Sequence, residues 1–328
     1  MRREILLEPD SEKGIKAVFN PAVSKKDGCT HIFYRMVDEE GYSSLAHAKM
    51  VNREIKERDV IVLAPKEEYD SKGCEDPRIT EINGTYYLTY TAWDGRNARV
   101  ALAVSKDMEN FERVGIISPN IPVGKAVELT KSERYKSMFR KQIEGHGKDS
   151  IVWDKDCAIF PYLFDGEFVM LHRIEPDIQM VRFSSFGDLQ DDKFWEEYIR
   201  DIDHYVLMQP AHSWESEKIG AGATPVMTSD GWLLLYHGVN RQNKHAIYSA
   251  GSALLDPEHP EKVKARSKYP LFSPEFEWER SGMVNNVVFP EGVEIEGDQI
   301  RAYYGCADKR IGLAELSYKE LKDNLENI

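Results

Sequence analysis

Apolar and polar positions alternate along most of the chain in short runs, each broken by a two-residue turn signal, which is the pattern of antiparallel hairpins. Five such turns are read: Asp27-Gly28, Asn83-Gly84, Asp165-Gly166, Asp230-Gly231 and Glu296-Gly297. The flanking runs, such as RITEINGTYYLTYTAW and AIFPYLFDGEFVMLHRI, are rich in β-branched and aromatic residues, which suit a pleated surface. Most hairpins are followed by another strand-like run, for example RVALAVSKDM or DIQMVRFSS, so each unit reads as three or four short antiparallel strands. The turns recur about 56, 82, 65 and 66 residues apart, a period in the range of propeller blades. The pattern therefore predicts an all-β chain, a five-bladed β-propeller spanning residues 1–328 as one domain. A two-sheet sandwich is the other architecture considered, but its strands do not normally come in five similar units.

The widest interval between turns holds residues 117–155, where KAVELTKSERYKSMFRKQIEG has the polar, amphipathic pattern of a helix. It is read as a helical insertion. A second helix is predicted at DKFWEEYIRDID, near residues 192–203, and the tail SYKELKDNLENI reads as either a short helix or a frayed end.

Composition narrows the class. Of the 328 residues, 41% are apolar and 11% aromatic, enough to build a large core. The net charge of −13 repels polyanions, so nucleic acid and anionic membranes are not expected partners. The opening segment MRREILLEPDSEKG has only a three-residue apolar run, unlike a secretory signal or membrane span, and a cytoplasmic location is expected. Cys29, Cys74, Cys157 and Cys306 are scattered without a CxxC pair, which predicts reduced thiols and neither a metal site nor a disulfide framework.

Chemistry concentrates at strand ends. Asn20, Arg35, Glu75-Asp76-Pro77-Arg78, Lys155, Arg173, Lys218, His237, Tyr248 and Asp308 all stand beside predicted strands. Each has an ordinary reading, since Asp before Pro starts turns and an Arg or His closing an apolar strand is often internally paired. Their recurrence in separate units points elsewhere, because the inner strands of propeller blades converge on one channel.

GCEDPRIT, DKDCAIFP, the Arg ending FVMLHRI, the Lys opening KIGAGATP, GWLLLYHGV, GMVNNVVFP and IRAYYGCAD resemble, in order, the blade motifs of glycoside hydrolase family 130. The resemblance runs from about Asn20 to Leu313. It implies a five-bladed propeller that cleaves β-mannosides with inorganic phosphate as co-substrate and no other cofactor. By the same resemblance Asp76 is the proton donor, and Lys155, Arg173, Lys218 and His237, assisted by Tyr248, hold the phosphate. Some branches of the family carry Arg where Lys155 stands; the lysine keeps the charge but not the bidentate geometry. Asn20, Arg35, Arg78 and Asp308 would bind hydroxyls of the mannosyl ring, and the proton would pass from Asp76 through the 3-hydroxyl to the glycosidic oxygen. Homo-oligomers are common among such proteins.

The chemistry agrees with that assignment. An inverting hydrolase needs a second carboxylate to activate water, whereas phosphate is already a nucleophile and needs only binding and aim. Two other readings stay open at this stage. Glu215 or Glu217, just before Lys218, could serve a β-mannoside hydrolase as base, and a non-catalytic propeller could bind glycans through the same polar groups. Tyr34, Trp93, Trp214 and Tyr303 are candidates for stacking on sugar rings.

Overall fold

A computed structural model describes residues 1–242 and 245–328. Its strands fall into consecutive antiparallel groups. After β1 (Arg2–Leu7), the first group is β2 (Ile15–Lys26), β3 (Cys29–Asp38), β4 (Ser43–Val51) and β5 (Glu54–Leu63). The second is β6 (Gly73–Ile82), β7 (Thr85–Trp93), β8 (Ala98–Ser105) and β9 (Glu112–Ile116). One parallel bridge, Ser43 to Gly73, joins these two groups into a single sheet.

Two helices, α1 (Val123–Leu129) and α2 (Glu133–His146), precede the third group. That group is β10 (Lys155–Ile159), β11 (Phe168–Arg173), β12 (Ile178–Phe183) and, after helix α3 (Asp192–Arg200), β13 (Val206–Met208). In the fourth, β14 (Lys218–Ala221) and β15 (Val226–Thr228) both pair with β16 (Gly231–Gln242), followed by β17 (His245–Leu255) and β18 (Val263–Ser267). After α4 (Glu277–Arg280), the fifth comprises β19 (Val288–Glu296), β20 (Gln299–Cys306) and β21 (Arg310–Ser317). Strand β1 pairs with β21, so the start of the chain supplies the outer strand of the last group.

The groups touch in a cycle: β2 against β6, β6 against β10, β10 against β14, β16 against β19, and β19 back against β2. The chain is all-β, with few helices.

The turns follow local chemistry. Asp27-Gly28, Asn83-Gly84 and Asp165-Gly166 all have positive φ at both residues, as a type I′ turn requires. The other two turns are displaced by one residue from the sequence reading. Thr228 pairs with Gly231 and Glu296 with Gln299, so the loops are Ser229-Asp230 and Gly297-Asp298.

The predicted insertion helix is broken. Thr130 is extended, and Ser132 caps α2 by accepting a hydrogen bond from the Tyr135 amide, an end-group arrangement that starts a new helix. Tyr135 and Phe139 of α2 and Trp195, Tyr198 and Ile199 of α3 join one apolar cluster with Ile159, Met170 and Val181 of the third group. The tail is a helix, α5 (Tyr318–Asp323), followed by a strand, β22 (Leu325–Asn327), that pairs with β18. All four cysteines are free thiols, three of them buried. Among the described residues no helix is long and apolar enough to cross a membrane.

Candidate active site

In four groups the first strand breaks its pairing register at a point that holds a polar side chain. These shifts lie around Asn20 in β2, Asp76 in β6, Asp156 in β10 and Glu291 in β19; β2 has a further break near its start, between Ile15 and Ala17. Asn20, Asp76 and Asp156 have φ of 53°, 50° and 54°, a left-handed conformation that Asn and Asp tolerate better than most residues. Such bulges re-aim side chains out of the regular pleat. Here they bring separate groups together: Asn20 Nδ2 donates to Asp76 Oδ1 at 2.7 Å, and Arg35 Nη1 lies 3.5 Å from the same oxygen. Arg35 Nη2 also donates to Glu75 Oε1 at 2.7 Å.

Strand register assembles the cations. Lys155 stands directly opposite Arg173, and opposed residues of an antiparallel pair project from one face. In the fourth group Lys218 is opposite Val239, Gly220 opposite His237, and Val239 opposite Tyr248. With the two-residue alternation of strands, Lys218, His237 and Tyr248 share a face. The two sets meet: Arg173 Nη1 is 3.4 Å from His237 Nε2. Asp156 Oδ2 lies 2.9 Å from Arg173 Nε and 3.8 Å from His237 Nε2. Lys218 Nζ donates to Glu175 Oε1 at 2.6 Å. The His237 ring stacks on Tyr248 with centroids 5.9 Å apart.

Gly220 is required by this crowding, because a Cβ there would lie 2.2 Å from Asp156 Oδ2 and 2.4 Å from His237 Cε1.

The charges divide unevenly. Burial opposes ionisation of Asp76, but Arg35, Lys155 and the Asn20 hydrogen bond outweigh it and hold its carboxyl below the usual range. Burial pushes Asp308 up to about 7, with Arg35 opposing and Asp76 adding to the rise. His237 is held well below the ordinary imidazole value by burial, then by Arg173, Lys218 and Arg78. A neutral His237 fits its geometry: with Arg173 donating to Nε2, the ring proton sits on Nδ1, which is buried without a partner among the described residues.

Residues 4–327 match the family model described as β-1,4-mannooligosaccharide phosphorylase. The chain belongs to glycoside hydrolase family 130. It is 34% identical to the 1,2-β-oligomannan phosphorylase of a Thermoanaerobacter species, over 93% of this chain and 92% of that one. It is 33% identical to the β-1,2-mannobiose phosphorylase of the same organism, over 94% and 92%. In fold it resembles the Listeria innocua β-1,2-mannobiose phosphorylase in complex with β-1,2-mannobiose, with a TM-score of 0.74 at 22% identity and 99% coverage of both chains.

In this family-130 chain, most of the residues singled out from sequence gather as described. Arg78 does not fit its expected role. Its guanidinium is 1% exposed, paired with Glu291 at 2.6 Å, and its Nη1 and Nη2 donate to the carbonyls of Asp76 and Ala221. It braces the strands that carry Asp76 and has no donor facing an open site. Glu215 is not placed as a base either: it is fully buried, accepting from the Ala211 and His212 amides and from Arg266. Glu217 pairs with Arg241 on the exposed rim. Tyr34 and Tyr303 are buried and donate to Asp59 and Glu294, and Trp214 packs on Tyr236, so these three are core residues. Trp93 is half-buried and packs edge-on against Trp153.

Three residues of the cluster escaped the sequence reading: Asp156, Glu175 and Glu291. A signal existed for two of them. Asn20, Asp76, Asp156 and Glu291 occupy the same place in FNP, EDP, KDC and PEG, the polar residue at the bulge of a first strand.

Proposed function

We propose that the chain is an inverting β-mannoside phosphorylase, forming α-D-mannose 1-phosphate and a shortened sugar, and that its five antiparallel groups are the blades of a propeller whose axis holds the site. The observation that carries this reading is the meeting of Lys155, Arg173, Lys218 and His237 from neighbouring groups, beside Asp76, while Glu215 is locked in the interior. A cation cluster suits an anionic nucleophile. A hydrolase would want a free carboxylate in its place.

In this mechanism Asn20, Arg35 and Asp308 hold the mannosyl ring and Asp76 protonates the leaving oxygen through the sugar 3-hydroxyl. Phosphate, fixed by the cations, attacks C1 from the opposite face. The C1–O bond to the leaving sugar breaks as the C1–O bond to phosphorus's oxygen forms, and configuration inverts. The proton that phosphate gives up finally restores the acid. Names of the full-length relatives favour β-1,2-linked substrates, so β-1,2- and β-1,4-mannobiose are the first pair to compare.

The test is proton NMR of the first product, with and without phosphate. Formation of α-mannose 1-phosphate only when phosphate is present is the expected result. A β-configured phosphate, or free mannose released equally fast without phosphate, would overturn it.

A further inference from the structure

The anion cluster contains a carboxylate that phosphate binding alone does not call for. Glu175 follows Arg173 by two residues and its Oε1 receives the Lys218 ammonium at 2.6 Å. Its side chain is 41% exposed, unlike the deeply buried Asp156. Burial opposes its charge, yet Arg173, Lys218 and Lys155 bring it down to about 2, so it is ionised at neutral pH. Those three cations are the ones assigned to phosphate above. An anion drawn to them therefore meets a negative carboxylate.

A carboxylate is a pure acceptor. Against a fully ionised tetrahedral anion such as sulfate it is repulsive, because neither partner carries a proton. Hydrogen phosphate is different: at neutral pH one of its oxygens still bears hydrogen and can donate to the carboxylate, giving a short charge-assisted bond. A site that pairs a donor on the ligand with a fixed acceptor rejects the analogue lacking that donor.

We propose that Glu175 is a specificity-determining residue that accepts the proton-bearing oxygen of phosphate and excludes fully ionised anions of the same shape from the Lys155–Arg173–Lys218 cluster. This rests on the phosphorylase reading of the same site and extends it to the choice of anion. Arsenate, which also keeps a proton near neutral pH, belongs with phosphate, and sulfate does not.

The experiment compares the full chain with Glu175→Gln, whose amide keeps the shape but can donate. Phosphate, arsenate and sulfate binding are measured by calorimetry, and sulfate inhibition by mannoside phosphorolysis. Wild type should bind phosphate and arsenate at least about tenfold more tightly than sulfate, and Glu175→Gln should lose about that factor, mainly through tighter sulfate binding. KM for the mannoside should not move. Equal shifts for phosphate and sulfate would reduce Glu175 to a counter-ion of Lys218, and a change confined to mannoside KM would make it a sugar ligand; either overturns the inference. If phosphate drives the reaction but selectivity survives the substitution, only this inference fails. If wild type binds no phosphate and turns over mannoside without it, the phosphorylase reading fails as well.

Discussion

Asp76 and Asp308 lie within each other's field, and the pair holds its proton unevenly. Arg35, Lys155 and Asn20 favour a charged Asp76 despite its burial, whereas burial lifts Asp308 to about 7. In the free site the proton resides on Asp308, and it is present below about pH 7 and lost above. Asp76 is thus ionised in the free site, so its role as acid requires that it take up a proton when mannoside and phosphate bind, with Asp308 the neighbouring group that holds one. If Asp76 delivers the proton, Asp76→Asn should lower kcat by about 10²- to 10⁴-fold, the usual worth of a general acid, measured with saturating mannoside and phosphate. A second prediction follows from the sign of the Asp308 shift: kcat/KM for the mannoside should fall as pH rises through about 7, and Asp308→Asn should abolish that limb. Running both proteins in one buffer series cancels the ionisation of phosphate itself. At the cation end, Lys218→Ala should weaken phosphate use by about 2–5 kcal/mol while mannoside binding stays close to wild type, as read from separate KM values.

At the scale of the strand, the site is a product of bulges and of one tight crossing. Bulged Asn20, Asp76 and Asp156 bring side chains of separate groups into contact, and β14 passes so close to Asp156 and His237 that only glycine fits at Gly220. Gly222, two residues on, faces backbone instead: its Cβ would lie 2.2 Å from the Pro290 carbonyl oxygen. The two glycines should therefore respond differently. Gly220→Ala should displace Asp156 and His237 and raise phosphate KM about tenfold or more, whereas Gly222→Ala should chiefly cost stability, about 1–3 kcal/mol, by forcing strands apart. Paired phosphate kinetics and melting curves separate them.

Hairpins were legible because their turn residues are local signals; Asn83-Gly84 needs no tertiary context. The cations were legible because strand ends carry them. What could not be read was which polar residue is spent internally. Arg78 and Asp76 stand in one motif, yet only the arrival of Glu291 from a distant strand shows that Arg78 is consumed as a brace. Glu215, weighed only as the base of the alternative hydrolase, is spent internally in the same way, since its partner Arg266 lies 51 residues away.

On the scale of the whole chain, the cyclic order of contacts makes the site depend on how the cycle is closed. Strand β1 completes the fifth group by pairing with β21, and Arg3 on β1 reaches the fully buried Glu279 at 2.9 Å. Glu279 also receives the Tyr304 hydroxyl and the Glu275 and Phe276 amides, so its charge is tied to the interior of that group. Removing the arginine strands a buried carboxylate, which typically costs about 3–5 kcal/mol. Neighbouring Arg2 is 70% exposed in its pair with Glu4, a surface contact whose loss falls within about 0.5 kcal/mol. Arg3→Ala should thus lower the unfolding free energy sharply in urea and Arg2→Ala hardly at all. The fifth group supplies Glu291 to Arg78, and through Arg78 it braces the strand of Asp76. Loosening the closure should therefore reach the site: in Arg3→Ala the thermal loss of phosphorolysis should track the lowered melting midpoint. Activity that outlasts unfolding of the β1–β21 pair, followed by hydrogen exchange at their amides, would show that the closure and the site are independent.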